Sequence, residues 1–129
     1  MFQRKIESLK TRWLASRYQI GANKYRRIYF YHVQKAGGSS IRRAFYKLAS
    51  EPEKIDTYFH SDTLRRGILG DKVYVTHHVG MIDQGNYFFA SSHWPMSQLT
   101  LPERTFTFTN LRDPIRRFMS RYRELRHRC

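Results

Sequence analysis

The stretch Arg27-Ile-Tyr-Phe-Tyr-His-Val-Gln-Lys-Ala-Gly-Gly-Ser-Ser40 decides how the rest of the chain is read. Arg27 to Val33 is an aromatic and β-branched run, the pattern of a strand buried on both faces. It passes straight into a turn, Gln34 to Ser40. Ile41, Ala44, Phe45, Leu48 and Ala49 then recur at helical intervals until Pro52 closes the helical region. Strand, glycine turn and helix in that order suit an anion. Successive backbone N–H groups in the turn, continued by the helix N-terminus, make a concave cradle. Gly37 and Gly38 let the backbone approach a phosphate, Ser39 and Ser40 offer hydroxyl donors, and Lys35 adds a mobile positive charge. The Walker spacing GxxxxGK[ST] is absent, which excludes an ordinary ATPase or GTPase loop. A plain structural strand–helix turn is the other reading of these residues.

Beyond this unit the pattern weakens from Glu51 to Asp71, read as loop plus a short helix ending near Gly67. Val73–Thr76, Tyr87–Ala90 and Thr105–Thr109 read as strands. Asp113-Pro114 starts a further helix, with aspartate as N-cap and proline in the first helical position. Ile115, Phe118, Met119, Tyr122 and Leu125 form its expected buried stripe. Strands alternating with helices predict an α/β fold around a parallel sheet. Before all this, Phe2, Ile6, Leu9 and Trp13 recur at helical spacing among basic residues. That leader, residues 1–26, reads as a docking helix, with a basic surface-binding helix as the alternative. Residues 27–129 form the domain proper.

Two further constellations carry chemistry. In Leu111-Arg-Asp-Pro-Ile-Arg-Arg-Phe-Met-Ser120 an arginine closes a strand and a serine lies two turns into the next helix. Arg112 and Ser120 together can clamp a phosphate. In Ala90-Ser-Ser-His-Trp-Pro-Met96 a histidine follows a strand, where open α/β sheets place ligands. His60, His77 and His78 have comparable claims on residue type alone. The pair His77-His78 lacks carboxylate or cysteine partners at metal-ligand spacing, so no metal is expected.

The chain has 129 residues with 24 Lys+Arg against 10 Asp+Glu, a formal net charge of +14 that favours polyanionic partners. Its single cysteine, Cys129, excludes an internal disulfide and a multi-cysteine metal site. No stretch approaches the roughly 18 apolar residues of a membrane span, and the N-terminus lacks the apolar run of a secretory signal.

Taken together, the three segments resemble the carbohydrate sulfotransferases that include the heparan sulfate 2-O-sulfotransferases and many bacterial relatives. The family's His-Val-Pro-Lys-Thr-Gly-Gly-Thr-Ser stands here as His32-Val-Gln-Lys-Ala-Gly-Gly-Ser-Ser40. Its Arg-Asp-Pro-x-x-Arg-x-x-Ser is present as Arg112, Asp113, Pro114, Arg117 and Ser120, and its central histidine segment is matched loosely by Ser92-His93-Trp94. The resemblance spans roughly Ile28 to Tyr122. It implies a P-loop-like three-layer α/β/α fold with 3′-phosphoadenosine 5′-phosphosulfate (PAPS) as co-substrate and no metal. It further implies that Lys35, Gly37, Gly38, Ser39 and Ser40 hold the phosphosulfate end, with Lys35 also stabilising the leaving phosphate oxygen. Arg112 and Ser120 would hold the 3′-phosphate, and His93 would be the general base for a hydroxyl on a glycan acceptor.

Gln34 and Ala36 depart from the family's Pro and Thr, and Ser91 with His93 replaces a histidine pair, so a paired-histidine role is expected to be lost. Family members usually continue well beyond this length, so the fold is expected to be incomplete. A binding-only remnant, a nucleic-acid or polyanion-binding module and a nucleotide kinase are the competing functions. The default compartment is the cytoplasm. Animal members are Golgi membrane proteins, which makes the Golgi the alternative if the true N-terminus lies elsewhere.

Overall fold

A computed structural model describes residues 2–33, 36, 38–50 and 65–128. The elements in chain order are helix α1 (Phe2–Ala15), strand β1 (Arg27–Tyr31), helix α2 (Gly38–Tyr46) and strands β2 (Arg66–Leu69) and β3 (Lys72–Thr76). Then follow helix α3 (Val79–Gln84), strand β4 (Phe89–Ser92), a 3₁₀ turn at Met96–Gln98, strand β5 (Thr105–Thr109) and helix α4 (Pro114–Arg128). The five strands form one sheet in the order β2-β3-β4-β1-β5. All neighbours are parallel except β2, which pairs antiparallel with β3. This is the expected α/β fold.

Side chains alternate across the sheet and build a core on each face. Ile28, Phe30, Tyr74 and Phe89 point to the α2 side, where Tyr46 and Ala49 meet them. Tyr29, Val73, Val75 and Ala90 point the other way, against Leu14 of α1 and Ile82 of α3. The result is three layers. The core is unusually aromatic, and its hydroxyls are largely paired. Tyr74 Oη donates to Phe45 O at 2.6 Å, Tyr29 Oη bonds Ser92 Oγ at 2.7 Å, and Tyr18 Oη both donates to Asp71 O and accepts from Val73 N at 2.9 Å. Buried hydroxyls without partners would cost about 1–3 kcal/mol each.

Several expectations are corrected. Gly67 lies in β2, not at a helix end: Gly70, with φ 65°, turns the chain back so that Arg66–Leu69 pairs with β3 as a hairpin. Residues 51–64 of that expected loop, with Pro52 and His60, lie outside the described residues. β1 stops at Tyr31, β4 starts two residues later than the predicted strand, and β5 ends three residues before Arg112. α2 buries Tyr46 and leaves Ala44 and Leu48 exposed, because it ends at Tyr46 and the turn beyond swings Leu48 outward. The apolar stripe of α4 is not buried: Ile115, Phe118, Met119, Tyr122 and Leu125 are all exposed, and no described element covers them. Nor does α1 dock by its predicted stripe. It packs on the sheet through Thr11, Leu14 and Ala15, while Phe2, Ile6, Leu9 and Trp13 face outward. No helix among the described residues is long and apolar enough to cross a membrane.

At the amino edge of the sheet the loops are clamped by Arg27. Its guanidinium donates to Gly85 O at 2.9 Å, Glu103 O at 2.7 Å and Thr105 Oγ1 at 3.1 Å. Gly85 ends α3 with φ 77°, and a Cβ there would stand 2.7 Å from Pro102 Cγ and 3.0 Å from Arg27 Nε. Gly85→Ala therefore combines left-handed strain with a clash. It should lower stability by about 2 kcal/mol, read as a reduced denaturation midpoint, while Gly80→Ala on the exposed side of α3 should have much the smaller effect.

Candidate functional site at the carboxyl edge of the sheet

Parallel strands all end on the same edge, so the residues that follow them converge there. The connections also reverse at β1. The chain leaves β1 to build β3 and β4 on one side, then crosses to β5 on the other. Open α/β sheets bind ligands at such a place. Beyond the carboxyl ends of β3, β4, β1 and β5 stand His77, His93, His32 and Asn110 in turn.

The three histidines make a continuous stack in the same order as their strands. His93 lies in the middle, with ring centroids 4.5 Å from His32 and 4.8 Å from His77. That spacing is the distance between neighbouring strands, about 4.8 Å, carried one residue past the ladder. Backbone bonds continue the pairing to this point: His32 N donates to Ser92 O at 2.9 Å and His77 N to Ser91 O at 3.0 Å. His77 leaves β3 with φ 54°, an uncommon conformation for a residue other than glycine and one that concentrates at functional sites. The imidazole neighbours of His93 thus come from other strand ends, while Ser91 is buried in the sheet.

His93 Nδ1 lies 2.5 Å from His32 O. A carbonyl oxygen can only accept, so His93 donates from Nδ1 and leaves Nε2 outside this bond. His32 and His77 are each held down to about 4 from the ordinary 6.5, chiefly by burial and next by His93, with Arg42 of α2 adding to both. Both outer rings are therefore neutral near pH 7. His78 stands apart from the stack and caps α3, accepting from Met81 N at Nδ1 at 3.1 Å. Trp94 ties the β4 end to the β3 end by donating from Nε1 to His77 O at 3.2 Å.

Of the expected anion ligands, Lys35 and Gly37 lie outside the described residues. Gly38 begins α2, with Ser39 and Ser40 exposed in its first turn beyond the β1 edge. Arg112 lies in the loop after β5, and Ser120 is half-buried on α4. Asp113 caps α4 as expected, its Oδ1 accepting from Ile115 N at 3.0 Å and Arg116 N at 3.1 Å. The two motifs are joined by a residue that the sequence pattern does not single out. Asn110 Nδ2 donates to Ala36 O, tying the loop before Arg112 to the glycine turn. Thr109 Oγ1 reinforces the tie through Tyr31 O at 2.7 Å. Because Asn110 bonds a carbonyl, the alanine side chain at position 36 is irrelevant to this link. The only sequence signal for Asn110 is a polar residue directly after an alternating strand.

A family model described as the sulfotransferase family matches residues 19–128. The chain belongs to the sulfotransferase family. No curated protein and no solved structure matches it. The match covers the Gly37-Gly38 and Arg112–Ser120 motifs and the whole histidine stack, and it makes the chain a transferase of sulfuryl groups by family. No group of three or more potential metal ligands occurs among the described residues.

The depressed histidines make stability acid-sensitive. The unfolded chain takes up protons on His32 and His77 below about 6.5, whereas the folded chain resists until about 4. Unfolded protein binds more protons across that window, so stability is full above it and falls as pH drops from 6.5 towards 4. His77→Asn, which tolerates the left-handed backbone, should flatten part of this fall. Thermal midpoints at pH 7.5 and pH 5 will differ less in the variant than in the native protein.

Proposed function

We propose that this sulfotransferase takes its sulfuryl group from PAPS and delivers it to a hydroxyl of a glycan acceptor. The observation that carries the reading is the Asn110–Ala36 link, which couples the glycine turn after β1 to the Arg112 loop after β5. The two anion motifs are thereby built on adjacent strand ends, with His93 on the other side of β1. In this reading Lys35, Gly37, Gly38, Ser39 and Ser40 hold the phosphosulfate, and Arg112 with Ser120 holds the 3′-phosphate that separates PAPS from ATP. The acceptor oxygen attacks sulfur as its proton passes to His93 Nε2. The bond from sulfur to the bridging phosphate oxygen breaks, and Lys35 balances the charge left on the departing 3′,5′-bisphosphate. Positioning and electrostatics carry such a transfer, as in phosphoryl transfer. The basic face of α4 supports an acidic glycan: Arg123, Arg126 and His127 line a hollow of about 210 Å3 that suits an anionic substituent.

Calorimetry with 3′-phosphoadenosine 5′-phosphate, against adenosine 5′-phosphate as control, tests the donor site. Binding should require the 3′-phosphate. Lys35→Ala and Arg112→Ala should each weaken it by roughly 10- to 100-fold, the worth of a charge-assisted hydrogen bond. Asn110→Ala should weaken it less, through the loosened turn. Equal affinity for both nucleotides would sink the PAPS assignment and leave a general polyanion site.

The base is tested separately, by sulfuryl transfer from PAPS to a panel of glycans. His93→Ala should lose about 10²- to 10⁴-fold in turnover with donor affinity unchanged. Turnover equal to the native protein's would remove His93 from the chemistry.

A further inference from the structure

We infer that α1 is an in-plane anchor that seats the protein on an anionic lipid surface. The helix uses one face for the fold and leaves a different one exposed, with no described element against it. Thr11, Leu14 and Ala15 are buried against the β3 side of the sheet, Thr11 having satisfied its hydroxyl on Ser8 O at 2.9 Å. On the opposite side Phe2, Ile6, Leu9 and Trp13 fall within roughly 60° of arc on a helix of 3.6 residues per turn. They are 78%, 50%, 63% and 56% exposed, although each would be expected inside a folded protein.

What flanks the stripe names the partner. Lys5 and Arg12 border it on one side and Lys10 on the other, while Glu7 is the helix's only acidic residue. Arg17 continues the positive border beyond the helix end, its guanidinium 4.6 Å above the Trp13 ring. A second copy of the chain would bring these cations against one another, and the whole chain carries +14. An apolar ridge of Phe, Ile, Leu and Trp between two rows of Lys and Arg is instead complementary to a bilayer interface: apolar side chains enter the acyl boundary, the indole sits at headgroup level, and the cations meet anionic lipid. Because the ridge points away from the face that packs on the sheet, seating it requires no unfolding of α1.

The test uses the full chain with phosphatidylcholine vesicles, with and without phosphatidylserine, followed by co-sedimentation and by emission of Trp13 in a Trp94→Phe background. Binding is expected only with phosphatidylserine, accompanied by a blue shift of Trp13 and weakened by salt. Leu9→Ser with Trp13→Ser (assayed by co-sedimentation) keeps every charge and should reduce binding by about tenfold or more. Lys5→Gln with Lys10→Gln and Arg12→Gln should reduce it comparably while keeping the ridge. Unchanged binding in the Leu9/Trp13 variant would mean that net charge alone holds the vesicle and would overturn the inference. Loss of binding confined to Phe118→Ser with Tyr122→Ser would transfer the surface to α4, overturning it equally. A concentration-dependent blue shift without vesicles would show that a second copy covers the ridge, which also overturns it.

Discussion

The parallel pairing of β1 with β4 on one side and β5 on the other is the constraint from which the rest of the molecule follows. A strand flanked on both sides and covered on both faces buries its centre, and β1 does so with Ile28 and Phe30 towards α2 and Tyr29 towards α1 and α3, leaving Arg27 and Tyr31 half-buried at its ends. Parallel pairing also imposes a common direction. Whatever follows each strand emerges at one edge, and neighbouring strands deliver their next residues about 4.8 Å apart. The stack of His77, His93 and His32 and the Asn110 link to Ala36 are consequences of that geometry.

In the reaction proposed for it, this edge would have to satisfy two opposed electrostatic demands. An anionic donor wants positive charge, and Arg42 of α2 is close enough to act on both His32 and His77. A proton acceptor wants neighbours that do not add a proton's charge next to it. Burial resolves the conflict: the two outer imidazoles are kept neutral by desolvation among arginines, which as fixed cations cannot give up their charge. The backbone carbonyl of His32 then orients the middle ring through Nδ1. Orientation and charge are thus set by different atoms of one short segment, so a change to the His32 side chain leaves the carbonyl that orients His93 in place.

The order strand, glycine segment, helix was legible because each piece has its own period. The helix nevertheless begins at Gly38, inside the stretch Gln34 to Ser40 whose sequence reads as turn, because glycine and serine carry no apolar period to mark a first helical turn. The strand character of Thr105–Thr109 and the Asp113 cap were legible for the same local reasons. The hairpin of β2 and β3 was not, since four residues around Gly67 carry too little periodicity to outweigh a glycine. His93 could be singled out only by resemblance. Its partnership with His32 and His77 depends on the strand order, and no local pattern states that β4 lies between β3 and β1. Asn110 was missed for a similar reason: its partner is a backbone carbonyl 74 residues away, to which sequence chemistry gives no clue.

The helices show where periodicity itself misleads. A 3.6-residue repeat of apolar side chains says that a face exists, not which surface covers it. On α1 the repeat of Phe2, Ile6, Leu9 and Trp13 outweighs anything on the opposite side, yet the fold uses Thr11, Leu14 and Ala15. Small side chains let a helix approach a sheet closely enough for its Leu14 to enter the cluster of Tyr29, Val73 and Val75. Large aromatics would hold it away. The face that packs inside is therefore chosen by fit, and the bulkier one is left for a partner that needs no such fit. A lipid interface, deformable and without fixed side chains, is a partner of that kind, and the lysines and arginine beside the ridge select the anionic sort.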